Sequence, residues 1–304
     1  MTFWLRPAFV LRVVRRFQQV AGFDRAMALA SAALAAMVPL AILCGMILDR
    51  LGLNDVAEHI VKRYGLTDGG AQAVQNVLSP SAGADSSVDL LSALFLMISL
   101  LSFSRAVQRM FEQTWDLRPR SVRNTPNDLR WILGLLAYLM ADISLHAVLD
   151  RGRYGLGAAL LMAPLTWAFL VWTGWILSAR RIGPAALAPF GAIAAALTAV
   201  YAVGATLYLP RLFSSEASRY GSAGAVFATL SALFGAMVTI VGSAALGREV
   251  HDELGRVRRG DRPPDDEVRH EWEQLVQDVR SRWHPTAGHR ARRLPGRGPR
   301  RRRT

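Results

Sequence analysis

The sequence predicts an all-α polytopic membrane protein, a bundle of six transmembrane helices with amphipathic cytoplasmic helices, and three observations predict it. Hydrophobic residues make up 52% of the 304 residues and charged residues 19%. The apolar residues gather into long runs instead of recurring with a surface-helix period, which is how a membrane chain distributes them. Six runs are long enough to cross a hydrocarbon core of roughly 30 Å, which takes about 20 helical residues. The arginines behind the formal net charge of +13 stand almost wholly between those runs. In a soluble protein such a charge would suggest nucleic acid; placed this way it reads first as topology.

Taken in order, residues 1–25 interleave Phe3, Trp4, Leu5, Val10, Val13, Val14 and Phe17 with Arg6, Arg12, Arg15 and Arg16. That mixture suits an amphipathic segment lying at the inner membrane interface, held by anionic headgroups. The triplet Ala28-Leu29-Ala30 opens the first apolar run, whereas a signal cleavage site would follow it, so the run is expected to be a retained span. The spans of a membrane domain covering residues 26–247 are expected near Ala26–Leu48, Val88–Gln108, Trp131–Leu149, Leu156–Ser178, Pro184–Leu209 and Ala223–Leu246. Arg105 and Arg109 enter where the second should meet headgroups. A helix continuing to about Trp115 reconciles them with the span, since Arg105, Arg109 and Glu112 share a face.

Between the first two spans, residues 49–87 form an outer segment in which Asn54 can cap a short helix through Tyr64, with Gly65 as its stop and Val56, Ile60 and Tyr64 as its stripe. Pro39, Pro164 and Pro189 interrupt or begin spans, and Gly191 with Ala195 and Ser231 with Gly235 offer small residues for close helix packing. Residues 248–285 are expected to hold a cytoplasmic amphipathic helix, with Asp265, Asp266 and Glu267 before a stripe of Val268, Trp272, Leu275, Val276, Val279 and Trp283. Residues 286–304 are rich in Gly, Pro and Arg and are expected to be disordered.

Arginine placement orients the bundle, because positive segments beside a span stay on the cytoplasmic side. Arg6, Arg12, Arg15, Arg16 and Arg25 precede the first span. Arg118, Arg120, Arg123 and Arg130 separate spans two and three, and Arg180 and Arg181 separate four and five. The 49–87 segment carries Asp49, Asp55, Glu58, Asp68 and Asp85 against Arg50, Lys62 and Arg63 and so belongs outside. Arg151, Arg153, Arg211 and Arg219 in short outer turns oppose the rule but are outvoted. Both termini are therefore expected in the cytoplasm.

Three stretches together resemble the YihY/BrkB family of six-helix bacterial membrane proteins, some of whose members were once labelled ribonucleases. Phe23-Asp24-Arg25-Ala26, leading through a small-residue helix to Val38-Pro39-Leu40, looks like the family's first span. Ser104-Arg105-Ala106-Val107-Gln108-Arg109-Met110-Phe111-Glu112-Gln113-Thr114-Trp115 resembles its amphipathic helix after span two. Leu207-Tyr208-Leu209-Pro210, followed by Tyr220-Gly221-Ser222-Ala223-Gly224-Ala225-Val226, is similar to its approach to the last span. The chain departs from the pattern at Gly242-Ser243-Ala244, where family members commonly carry Gly-Ala-Glu. The resemblance, over roughly residues 10–250, implies six helices, cytoplasmic ends and a bacterial plasma membrane, and no settled activity.

For chemistry, Asp142 stands near the middle of the third span, where a carboxylate costs roughly 2.5–3.5 kcal/mol on insertion scales. Tyr138, Asp142, His146 and Asp150 recur every four residues, so they make a polar stripe on one helix face. Such a stripe could relay protons or bind a cation, or simply fasten neighbouring helices. Nucleophile elbows, phosphate loops and paired zinc ligands have no match in the sequence. The single cysteine, Cys44, can complete neither an intrachain disulfide nor a multi-cysteine zinc site, and His270, His284 and His289 fit no ligand spacing. The expectation is no enzyme, no cofactor and no resident metal. The leading function is a transporter or permease-like binder of a small solute, ion or lipid. The alternative is a non-transporting scaffold whose cytoplasmic helix and tail recruit a protein partner. The Arg-rich termini are expected to meet the bilayer's anionic headgroups in preference to nucleic acid, because they have few aromatics to stack bases.

Overall fold

The computed structural model describes residues 7–50, 86–119, 125–149, 155–220 and 222–260, with residues 268, 269, 272–274, 276 and 277 near the C-terminus. Among the described residues every regular element is a helix and none is a strand. The expected outer cap at Asn54–Gly65 lies outside them, as do His270 and residues 278–304. The chain divides into two compact units, residues 16–261 and residues 1–15 with 262–304.

The first helix, α1 (Pro7–Gln19), ends at a left-handed turn on Ala21, with φ of 51°. Among the described residues six helices follow: α2 (Gly22–Arg50), α3 (Ser86–Thr114), α4 (Thr125–Leu149), α5 (Gly155–Leu177), α6 (Pro184–Tyr220) and α7 (Ser222–Arg259). One helix follows each expected apolar window. Successive helices from α2 to α7 pack on one another, and α7 returns to α2, so the six close a ring that α3 also bridges towards α5 and α7. Three described stretches are long and apolar enough to cross a membrane: Leu94–Thr114, Pro184–Phe213 and Val226–Arg259. The pair Ala8–Gln19 and Gly22–Met37, bent by 53°, passes the same length and composition criterion only when counted as one span, which brings the number to four.

The prolines do not stop these helices. Pro39, Pro164, Pro189 and Pro210 all lie inside them, because a proline removes only its own N–H and strains the carbonyl four residues back, which a membrane helix absorbs. The fifth apolar window, expected to close at Pro210, therefore belongs to a 37-residue helix that continues to Tyr220. Likewise α7 runs unbroken through Gly247 to Arg259, and its 38 residues at 1.5 Å each reach about 57 Å, well beyond a hydrocarbon core.

The packed core gathers at the arginine-rich end of the ring. It takes Ala26, Leu29 and Ala36 from α2, Val107, Met110 and Phe111 from α3, Trp131 from α4, Leu177 from α5, Leu187 and Phe190 from α6, and Val241 and Ala244 from α7. Phe190 meets Phe111 edge-on, with ring centroids 5.3 Å apart, and stands edge-on to Trp115 at 6.1 Å. The α6 and α7 backbones come close together: a Cβ on Gly247 would lie 2.4 Å from the Phe190 Cα, a backbone atom that cannot swing aside. Gly191 similarly admits the Trp167 carbonyl of α5, and Gly235 admits the Tyr201 ring, whereas Ser231 is exposed. Phe190–Gly247 and Tyr201–Ala232 are successive contacts of one antiparallel hairpin.

In the smaller unit, Arg15 hydrogen-bonds Gln274 and Arg269 pairs with Glu273 one turn on at 3.1 Å. Val268 and Trp272, from the expected stripe, are exposed.

Candidate functional site

The expected polar stripe lies on α4, and half of it is described. Tyr138 and Asp142 are both half-buried. The Tyr138 hydroxyl shares a hydrogen bond with the Thr166 hydroxyl of α5 at 3.0 Å, and its ring stacks on Phe169 at 4.4 Å with 9° between planes. Stacking and hydrogen bond together fix the tyrosine, and Asp142 follows one turn later on the same face. His146 lies within α4 but its side chain is outside the described residues, and Asp150 is outside them altogether. Among the described residues no group of three or more His, Cys, Asp or Glu side chains could hold a metal ion.

A second polar constellation, at the arginine-rich end, was not anticipated. It centres on the C-terminus of α3, which ends in a left-handed turn: Asp116 has φ of 51° and the Leu117 N–H donates to the Glu112 carbonyl at 2.7 Å. A non-glycine residue in that conformation is unfavourable on its own and is held by its surroundings. Two arginines hold this end. Arg181 donates to the Glu112 carboxylate at 2.7 Å, to the Arg118 carbonyl at 2.7 Å and to the Ser178 carbonyl at 2.8 Å. Glu112 is 2% exposed and also accepts from Gln108 at 3.0 Å. From the opposite side Arg16 donates to Glu249 of α7 at 2.5 Å, to the Thr114 carbonyl at 3.3 Å and to Asp116 at 3.2 Å.

The electrostatics fit the geometry. Cations beside a helix C-terminus meet its orphan carbonyls and the negative end of its dipole. Burial works against the Arg16 charge, but hydrogen bonding and charge from Glu249, and then from Asp116, outweigh it and hold the guanidinium above its ordinary pKa. Nearby, Ser104 donates to the buried Asp128 of α4 at 3.0 Å, and the Trp131 indole donates to Thr173 at 3.1 Å. Burial raises the Asp128 pKa above the usual carboxylate value, against the lowering influence of Ser104 and Arg105. The same end has a second left-handed turn after α5, at Ala179 and Arg180, with the Arg180 guanidinium 4.8 Å from the Trp175 ring centre.

Sequence reasoning took Arg16 and Arg181 only as topology markers. A signal for the other half was available: Ser104, Gln108 and Glu112 recur every four residues and all three are buried. Glu112 borders the face of Arg105 and Arg109 yet turns inward to Arg181. Chemically, this constellation ties Arg16, the end of α3, the turn after α5 and α7 together by charge. The α4 stripe instead offers a half-buried carboxylate beside a fixed phenol.

A family model described as "Virulence factor BrkB" matches residues 13–267, which include α2 to α7 and all the residues of both constellations. No curated protein and no solved structure matches the chain.

Proposed function

The chain belongs to the BrkB family of membrane proteins, and on that premise we propose that it spans the bacterial plasma membrane six times, both ends cytoplasmic, and binds or moves a small solute, ion or lipid through a site inside the bundle. The observation that carries this reading is Asp142: a half-buried carboxylate within an apolar helix, one turn from a tyrosine fixed by Thr166 and Phe169. An ionisable group at such a depth is costly unless protein or water receives it, and groups kept at that cost commonly mark ion or proton paths. The reading assigns no catalysis. The Glu112–Arg181 and Arg16–Glu249 pairs then close the arginine-rich end, and conduction requires that end to loosen.

The test uses the full chain in vesicles, with proton flux under an imposed pH gradient read by a luminal dye. Asp142→Asn should fold and insert normally yet lose the flux, because Asn keeps the size and cannot ionise. An Asn variant with full flux rejects the reading. In that case Asp142 only fastens helices, and Asp142→Leu should cost roughly 1–2 kcal/mol of stability. A wild-type chain without proton flux favours the second reading, a scaffold that recruits a cytoplasmic partner. The extension of α7 past its apolar window, with Leu254 and Val257 exposed, supports that alternative.

A further inference from the structure

We propose that Arg25, Arg105 and Arg109 form a binding site for the headgroup of one anionic phospholipid, whose acyl chain lies along α3. This site takes Arg25 at the root of α2 together with two arginines of α3, lies apart from the C-terminal arginine tail, and is independent of whether the protein transports anything.

Leu94, Ile98, Ser102, Arg105 and Arg109 fall within about 40° of one line along α3, at about 100° per residue. Leu94 and Ile98 are 57% and 54% exposed, and Phe95 beside them 61%. An exposed apolar strip thus becomes cationic towards the arginine-rich end, with Ile98 and Arg105 about 10 Å apart along the axis. Ser102, between them, donates its hydroxyl to the Ile98 carbonyl at 2.7 Å and presents no unmet polar group to a hydrocarbon chain. A free phosphate would use only the cationic end. An amphiphile uses both, which is why a lipid is the occupant.

Arg25 joins from α2, which packs on α3. It lies between exposed Phe23 and Met27 and next to buried Ala26, at the edge of the packed face. Burial, and then the charge of Arg109, lower its pKa from the ordinary arginine value, with Asp24 working the other way. Arg25 and Arg109 therefore act on each other as like charges. Among the described residues no hydrogen bond or ion pair holds either guanidinium, in contrast to Arg16 and Arg181, which are each held several times over. The nearby acids are Asp24, which is exposed, and Asp128, which is buried and acts on Arg105. Three cations against two acids leave a net positive site at headgroup level, and a phosphodiester supplies the missing charge with oxygens that guanidinium groups bind well.

The experiment equilibrates the full-length protein with vesicles of phosphatidylcholine and phosphatidylglycerol at three to one, then extracts it and counts retained lipids by native mass spectrometry. Wild type should keep one phosphatidylglycerol in preference to phosphatidylcholine. Each of Arg25→Gln and Arg109→Gln should weaken that retention about fivefold, the loss expected for one surface arginine near an anionic leaflet. Arg258→Gln, on exposed α7, should leave it unchanged. Arg109 is exposed, so its variant should fold like wild type by melting temperature. Equal retention in Arg109→Gln overturns the site, and so does equal retention of the two lipids. Displacement of the lipid by millimolar glycerol phosphate also overturns it, because a soluble anion would then suffice.

Discussion

At the arginine-rich end of the bundle, Phe111, Trp115 and Phe190 interlock, Gly247 lets α7 touch the α6 backbone, and buried carboxylates find guanidinium partners. About 20 Å farther along α6 the arrangement is different. Val200, Val203, Leu207 and Tyr208 are all more than 60% exposed, and the helix is less exposed only along the seam of Thr198, Tyr201, Ala205 and Leu209. The same chain thus packs one end as a soluble protein packs its core and leaves the other to the surrounding hydrocarbon. In lipid, apolar side chains gain little by leaving one solvent for another like it, so helix contacts there rest on small residues and single hydrogen bonds. At the arginine-rich end, burial in protein does what lipid cannot: it pairs charges.

The largest expected effect breaks the comparison at its charged side. Glu112→Ala removes the carboxylate from Arg181 and Gln108. Losing one partner of a buried pair costs about 3–5 kcal/mol, and the partial exposure of Arg181, at 22% of its side chain, should bring this to about 2–3 kcal/mol by unfolding in detergent. The double variant with Arg181→Ala should be less than additive. Full additivity would mean that the pair is not coupled.

A smaller effect comes from Asp128. Its folded pKa is raised, so folding favours the protonated acid. That contribution is fully present below the unfolded value of about 4 and is lost as pH rises through the folded pKa. Wild-type stability should therefore decline from about pH 4 upward relative to Asp128→Asn, which keeps a partner for Ser104 and has no such titration. Parallel pH profiles of melting temperature for the two proteins would refute this.

The smallest effect belongs to the lipid-exposed half. Tyr201→Phe removes the hydroxyl that donates to the Ala232 carbonyl at 2.5 Å and should cost about 0.6 kcal/mol, the average for such bonds between membrane helices. If it costs as much as Glu112→Ala, the two ends do not differ as described.

The helical character and the continuity of α3 to Thr114 were legible, because apolar runs and the spacing of Arg105 and Arg109 are local properties, although Glu112, expected on their face, turns inward. The charge constellation was not. Arg16 meets Glu249 across 233 positions, and nothing local distinguishes an arginine that orients a span from one that caps a distant helix. Glu249 and Glu253 follow Gly247, where the composition turns soluble, yet both are buried. Of the stripe, Tyr138 and Asp142 could be read from spacing. Their supports, Thr166 and Phe169, belong to another helix and could not. The contact of Gly247 with the Phe190 backbone leaves no trace in composition.

That contact has a mechanical consequence. Gly247 against Phe190 fixes the root of the α6–α7 hairpin, and Tyr201 with Ala232 fixes its middle. Secured at two heights, the two helices resist scissoring and act as a single stiff lever. From Phe190 to Tyr220 the arm is about 45 Å long at 1.5 Å per residue, so a tilt of about 5° at the root carries the tip through about 4 Å. Small adjustments among the charged groups at the root would thereby be magnified at the tip.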